Sequence, residues 1–453
     1  MLADLGQGLI LRRTTAGDAD ALAAFNADQV RGQDSAVPWE PLGVWTRDLL
    51  GGRHPTFKPE DGLVVEDRAT GAIVSSMLLI SQRWAYGGAP ILVGQPELIA
   101  TRPDYRGRSL VRRQFEVLHG WSSERGEVLQ IIAGIPWFYR QFGYEMALER
   151  GGGPRVDLTS LEPPPAPDVE LPFRVRPMTE ADLTFAAALD DQARARSAVT
   201  VPRDAAFWRY ELTGHTVGSM TRLAFGVIET AGGEAVGTLS HIPVLWNGAV
   251  ALTHYEVRAG VSWRATWAGV LRYVLAKGEE YAARDPHARF TQVQLWHMGS
   301  EHPLYRAVRF GKDHWRAYAL YTRIPDLAAF CRSIAPALER RLAASPLAGH
   351  TADLTLSTYR AGVRLRLDAG RITAEPWQPA LDVVGQEFGI PSSDPRRAAA
   401  LFPGLGINQL VLGYRSLDEL QAIYPDCMVR GGEGRALIDA LFPKTASDVW
   451  PLV

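Results

Sequence analysis

Near the N-terminus, apolar and polar positions alternate in a short run and then shift to a helical spacing. The same shift recurs mid-chain. LILRRTTAGDADALAAF reads as an extended segment, a Thr-x-x-Asp capping signal at Thr15 and Asp18, and a helix. FRVRPMTEADLTFAAAL repeats that reading with Thr179 and Asp182. The β-rich runs LVVEDRATGAIVSSMLL and AFGVIETAGGEAVGTLSHI, each folded around glycines, predict hairpins. After Arg106, the positions Leu110, Val111, Phe115, Leu118 and Trp121 fall close to a 3.6-residue period and predict a helix. Each half therefore reads in one order: extended segment, capped helix, variable stretch, hairpin, strand, helix, strand and a short aromatic helix.

The spacing between the halves is nearly constant. It is 164 between Thr15 and Thr179, 162 between Gly71 and Gly233, and 166 between Tyr139 and Tyr305. Three matches in the same order at one period are the mark of a duplicated unit. Between the copies lies LEPPPAPDVELP, whose prolines remove backbone donors and favour an extended linker. Beyond residue 323 the pattern changes. IPDLAAFCRSIAPALERRLAA predicts a helix, TADLTLSTY, GVRLRLDAG and RITAEPW alternate as strands, and FPGLGINQLVLGYRS reads as a further strand and turn before two more helices. The expected domains are 1–160, a linker over 161–172, 173–322, and an α+β domain over 323–453.

Composition narrows the function classes. A chain of 453 residues fits about three domains at roughly 100–200 residues each. Hydrophobic residues make up 46% and charged residues 22%, the balance of a globular protein. A formal net charge of −2, with both signs interspersed, gives no field to hold nucleic acid or an anionic membrane. The two cysteines, Cys331 and Cys427, lack the spacing of a zinc site or a disulfide framework. MLADLGQGLILRRTT has no apolar core of signal-peptide length, and AIVSSMLLI is far short of the ~18 residues of a membrane span. A cytoplasmic location is the expectation.

The chemistry concentrates in PELIATRPDYRGRSLVRRQFEVL, where a strand, a charged glycine turn and a helix start follow in succession. Such a turn exposes unpaired backbone N–H groups suited to a pyrophosphate. Arg106 and Arg108 add positive charge, while Gly107 and Ser109 keep bulk low where backbone must approach phosphate oxygens. About thirty residues on, QIIAGIPWFYRQFGYEMAL brings a strand into a short aromatic helix. Phe138, Phe142 and Tyr144 are read as core aromatics, and Tyr139 as the reactive one.

The order hairpin, strand, RGRSLV turn-helix, strand and FYRQFGY resembles the GNAT acetyltransferase superfamily, whose signature is a Gln/Arg-x-x-Gly-x-Gly/Ala turn followed by a tyrosine-bearing segment. Arg106 matches its first position, whereas Ser109 and the bulkier Val111 stand where small residues are usual. Two such halves followed by an α+β domain similar to sterol carrier proteins resemble the enhanced intracellular survival (Eis) type. That resemblance implies acetyl-CoA as donor, held by Leu98, Ile99, Ala100 and Thr101 on the strand and by Arg106, Gly107, Arg108, Ser109, Leu110 and Val111 in the turn. It implies Tyr139 as general acid and the C-terminal carboxylate, here Val453, as general base. It also implies an amine-bearing small molecule or lysine-bearing acceptor, approached by Asp28, Asp34, Trp39 and Trp45, and a homo-oligomer, by the same analogy a hexamer.

The second half departs from the signature. Ala265 replaces Gly107 and Trp267 stands where Ser109 would be, so the pyrophosphate space is expected to be filled and Tyr305 to be a packing aromatic. His297 and His302 flank MGSE without further ligands, and no metal is expected. Two other functions remain open from sequence: a non-catalytic acyl-CoA or lipid-binding module, and an assembly scaffold.

Overall fold

The computed structural model describes residues 1–30, 37–166, 168–299, 301–310, 314–315, 318–378 and 398–449. Asp34 and Val453 lie outside them.

The first half contributes strands β1 (Ala3–Gly6), β2 (Leu9–Arg13), β3 (Gly62–Asp67), β4 (Ala72–Tyr86), β5 (Ala89–Thr101), β6 (Leu129–Ile132), β7 (Glu145–Arg150) and β8 (Gly153–Asp157). Its helices are α1 (Ala19–Gln29), α2 (Glu40–Leu50) and α3 (Leu110–Glu124). The second half contributes β9 (Phe173–Pro177), β10 (Val199–Thr200), β11 (Ala224–Thr230), β12 (Ala235–His241), β13 (Ala249–Val257), β14 (Gln292–Leu295), β15 (His314–Trp315) and β16 (Tyr318–Arg323). Its helices are α4 (Leu183–Arg194), α5 (Ala205–Arg209), α6 (Trp263–Ala282) and α7 (Leu304–Ala307).

Two mixed sheets result, with the same internal order. The first runs β1-β2-β3-β4-β5-β6-β16-β7 and the second β15-β8-β14-β13-β12-β11-β9. In each, an antiparallel meander leads to one parallel pair, β5 with β6 and β13 with β14. The next position in each sheet is filled from elsewhere in the chain. Strand β16, from the end of the second half, lies antiparallel between β6 and β7, pairing Tyr321 with Ile132. Strand β8, from the end of the first half, lies antiparallel to β14 and β15. The halves have exchanged strands.

The duplication extends to side chains. Asp18 and Asp182 each close a capping box with the threonine three residues earlier. Arg12 bridges Asp18 and Glu66, each at 2.7 Å. Arg176 bridges Asp182 at 2.7 Å and Glu229 at 2.8 Å. Each arginine thereby ties a helix entry to the hairpin behind it.

The third domain packs a helix α8 (Leu327–Ala343) against a five-stranded sheet. It docks on the long β4–β5 hairpin, where buried Trp84, Tyr86 and Ile91 share a core with Phe330, Ile334 and Leu338. The Tyr86 hydroxyl donates to Val411 O at 2.7 Å and accepts from Arg341 at 2.8 Å. The segment FPGLGINQLVLGYRS, expected as strand and turn, instead holds a helix over Gly406–Val411. All six of its residues are buried, and a short apolar run enclosed on every side carries no period to tell helix from strand. Among the described residues, no helix is long and apolar enough to cross a membrane.

Candidate active site

Strand β5 is where the first sheet opens. It pairs in parallel with β6 only at Val93–Leu129 and Gly94–Gln130, so from Gln95 to Thr101 its β6-side edge meets no described strand. On its other side the register with β4 shifts between Ser76 and Leu78, and Leu98 takes φ +50°. A left-handed leucine inside a strand is the signature of a bulge that bends the strand away from its neighbour. Side chains hold the bend. Ser76 Oγ donates to Leu98 O at 2.8 Å, and the Ser75 hydroxyl lies 2.9 Å from Ala100 O and 2.7 Å from Gln114 Oε1 of α3.

The chain then turns into α3. Gly107 adopts φ +77° and Ser109, the N-cap of α3, φ +59°. A Cβ on Gly107 would meet nothing within 4 Å, so its backbone faces open space. The first N–H groups of a helix have no intrahelical acceptor and carry its positive pole. Arg106, Arg108, Arg112 and Arg113 surround them. Arg106 Nε donates to Thr101 O at 3.3 Å, Arg108 lies over the Tyr105 ring at 4.8 Å, and Arg112 over Phe142 at 5.3 Å.

Opened strand and helix start border one cleft of about 640 Å³. Ile99, Ala100, Thr101, Arg106, Gly107, Ser109, Leu110, Val111 and Tyr139 all line it. Two residues of the expected donor-binding set do not. Leu98 is buried, and Arg108 borders the adjoining surface with Arg113. Gln29 and Val30, from the end of α1, also line the cleft and carry no sequence signal.

Tyr139 is 7% exposed, in contact with the rings of Phe138, Phe115 and Tyr144 and with Tyr321 of β16. Burial pushes its phenol well above the ordinary range, and the neighbouring Glu97 and Tyr321 add to the effect. The hydroxyl therefore keeps its proton at neutral pH. Tyr144 is fully buried, with its hydroxyl 3.0 Å from His119 Nε2 and 3.1 Å from Gln130 Oε1. Phe138 and Phe142 pack on the core and also edge the cleft.

Glu97 has no role in the sequence reading and does not itself line the cleft, but its charge bears on Tyr139. It ends a relay of side chains along the β4–β5 hairpin. Trp84 Nε1 donates to Gln82 Oε1 at 2.5 Å, Gln82 donates to Gln95, and Gln95 Nε2 donates to Glu97 Oε1 at 2.8 Å. Desolvation raises the Glu97 pKa against these donors and against the charge of Arg150. The signal was present as a carboxylate inside PELIA, since a charge in an apolar strand needs a reason to be there.

The acceptor-side residues are dispersed. Asp28 lies at the end of α1, with Gln29 Nε2 donating to it at 2.9 Å. Trp45 is 4% exposed in the core between α1, α2 and the sheet, and Trp39 packs against the same core. Neither tryptophan lines the cleft. In the second half Trp267 is buried against Tyr255 and Phe310, and the Ser262 hydroxyl caps α6 by accepting from Ala265 N at 3.3 Å. Trp263, Ala265 and Trp267 therefore lie inside α6 and not in a turn before it, and Trp267 faces the core. The turn ahead of α6, with exposed Gly260 at φ +85°, is not filled by it, contrary to the sequence expectation. His302 Nε2 lies 2.9 Å from Tyr255 O, and His297 stacks on Trp296. Among the described residues, no group of three His, Cys, Asp or Glu side chains is placed to hold a metal.

Comparison with known proteins bears on the same region. Residues 12–147 match an acetyltransferase (GNAT) domain. Over those residues the chain is similar to that family. Its match ends before β8 and so covers the opened strand, the turn and Tyr139. Solved structures are similar over nearly the whole chain. A conserved protein of unknown function from Enterococcus faecalis V583, described as a probable N-acyltransferase, is 13% identical with a TM-score of 0.65 over 97% of both chains. A GCN5-related N-acetyltransferase from Kribbella flavida is 15% identical, with a TM-score of 0.62 over 97% of both. Eis1 from Mycobacterium abscessus is 12% identical, with a TM-score of 0.58 over 97% of this chain and 98% of that one. At such identities the likeness establishes the fold. No curated protein matches the sequence.

Proposed function

We propose that the chain transfers an acetyl group from acetyl-CoA to a primary amine, on a small molecule or a lysine-bearing acceptor, by direct attack. The observation that carries this reading is the meeting of Tyr139, the open edge of β5 and the start of α3 along one cleft. The residues fit the donor. Exposed Arg106 and the free N–H groups of α3 suit a pyrophosphate, and the unpaired edge from Gln95 to Thr101 offers backbone groups to an extended amide-bearing arm. Val111 borders the cleft without closing it.

An alkylamine with a pKa near ~10.4 is almost fully protonated at neutral pH and must lose a proton before it attacks. In this reading Glu97 takes that proton, its basicity raised by burial. The amine nitrogen then bonds to the acetyl carbon, the carbon–sulfur bond breaks, and Tyr139 gives its proton to the departing thiolate. The base implied by the family resemblance, the carboxylate of Val453, lies outside the described residues. Appending a few residues after Val453 separates the two bases: turnover survives if Glu97 serves and falls if the terminus does. A cytoplasmic homo-oligomer, similar to the Eis type, belongs to the same reading.

The direct test is thiol release from acetyl-CoA with a panel of amines, comparing the wild type with Tyr139→Phe. Loss of about 10²–10⁴-fold in kcat, as for removal of a positioned acid, is the expected result. Equal rates would remove Tyr139 from the mechanism. Stabilisation by CoA esters without turnover on any amine would instead favour an acyl-CoA-binding module.

A further inference from the structure

The segment that presents Tyr139 is not held by the first half alone. Gly134, Ile135, Pro136 and Trp137 connect β6 to the tyrosine, and Trp137 adopts φ +70° while 74% exposed. A bulky residue at positive φ is strained and persists only where its surroundings fix it. Trp137 has little packing to fix it.

One hydrogen bond does so. Trp137 N donates to the hydroxyl of Tyr321 at 2.5 Å. Tyr321 lies on the exchanged strand β16 and is fully buried. Its ring also meets that of Tyr139 edge-on, with centroids 5.6 Å apart and planes at 61°. Arg140, next in sequence to Tyr139, lies 5.9 Å over the Tyr321 ring and is fixed by Glu145 at 2.6 Å. A single side chain from the end of the second half thus contacts the residues before, at and after the reactive tyrosine.

We propose that Tyr321 is a positioning residue for Tyr139, so that the second half of the chain completes the site in the first. This rests on the reading of Tyr139 as the general acid. Tyr321 is buried and does not line the cleft. Its hydroxyl locks the turn at Trp137 and its ring sets the angle from which Tyr139 enters the cleft. The second half retains a catalytic purpose through this strand.

Tyr321→Phe keeps the ring and removes the acceptor for Trp137 N. The expected result is a kcat about tenfold lower, with KM for acetyl-CoA within about twofold and thermal melting nearly unchanged, because a misplacement near 1 Å is costly to catalysis but not to binding. A double-mutant cycle separates positioning from general damage. In a Tyr139→Phe background, Tyr321→Phe should cost nothing further. An equal loss in both backgrounds overturns the proposal. A crystal structure of Tyr321→Phe gives a readout independent of turnover: Trp137 should leave positive φ and the Tyr139 ring should shift, and an unchanged segment overturns the proposal. If the wild type turns over no amine, the acetyl-transfer reading falls while the crystal structure still decides whether Tyr321 sets the tyrosine.

Discussion

The ring of Tyr139 lies so close against the backbone of Gly134 that a Cβ built there would fall 1.8 Å from its Cε2. The contact leaves no room for any other residue. Gly134→Ala is therefore expected to push the phenol out of place, lowering kcat by about 10²-fold and stability by about 1–3 kcal/mol through overpacking. Donor binding, measured by calorimetry with CoA, should stay within a few-fold, since Gly134 does not border the turn. A wild-type kcat in this variant would show that the phenol has freedom to move.

Ser109 is the N-cap of α3 in a left-handed conformation that glycine adopts without strain. Ser109→Gly should raise stability by about 0.5–1 kcal/mol and leave or improve the affinity for CoA. Arg106→Ala should weaken CoA binding by about 1.5–3 kcal/mol, the worth of a hydrogen bond to a charged group, with kcat little changed. Calorimetric titration of both variants measures these effects directly. A fall in kcat alone for Arg106→Ala would relocate that side chain to the chemistry.

For Glu97 the sign of the pH dependence follows from a pKa raised by burial. The folded state favours the protonated form, so stability falls as pH rises above the unfolded value of about 4.3 and levels off once the folded pKa is passed. Glu97→Gln should melt at the wild-type temperature near pH 4 and above it at pH 7. Its kcat/KM should drop by about 10²–10⁴-fold. The acidic limb of the wild-type rate profile should lie above the ordinary carboxylate range. A variant with full activity and an unchanged limb would exclude Glu97 as base.

The paired arginine bridges make a matched prediction. Hydrogen bonds from Arg176 and Thr179 hold the Asp182 carboxyl well below its usual range despite its burial. Its stabilisation is present above the unfolded pKa of about 3.9 and is lost as pH falls through the depressed folded value. Arg176→Ala should lower stability by about 1 kcal/mol at pH 7, given the partial exposure of the arginine, and the difference from wild type should close in strong acid. Arg12→Ala should behave alike. Melting curves of both across pH measure it; a gap that persists in strong acid would assign the loss to packing.

How much of this was legible depended on whether the signal was local. Thr15 with Asp18, and Thr179 with Asp182, could be read because a cap occupies four consecutive residues. The turn from Arg106 to Leu110 and the aromatic helix at Tyr139 were legible for the same reason. Leu98 gave no sign of its left-handed backbone, because the bulge is held by Ser76 on the neighbouring strand, itself bonded to Asn26 of α1. Trp39 and Trp45 read equally well as a ligand-binding pair and as anchors of a solvated loop, whereas they sit at and in α2 against a core that the sequence does not announce. Nor does alternation in YALYTR state which sheet the strand joins, since pairing partners of β16 lie more than 160 residues away. Tyr321 was invisible as a neighbour of Tyr139 on that account.

The exchange of strands also sets a clock on the making of the protein. β6 and β7 must wait, unjoined, for a strand that leaves the ribosome roughly 170 residues later, or about 8–30 seconds at common rates of synthesis. During that interval the nascent first half exposes a gap the width of one strand, open to any passing extended peptide. The cleft with Tyr139 is completed only when β16 arrives, so in this reading a fragment that stops short of Tyr318 has no complete site.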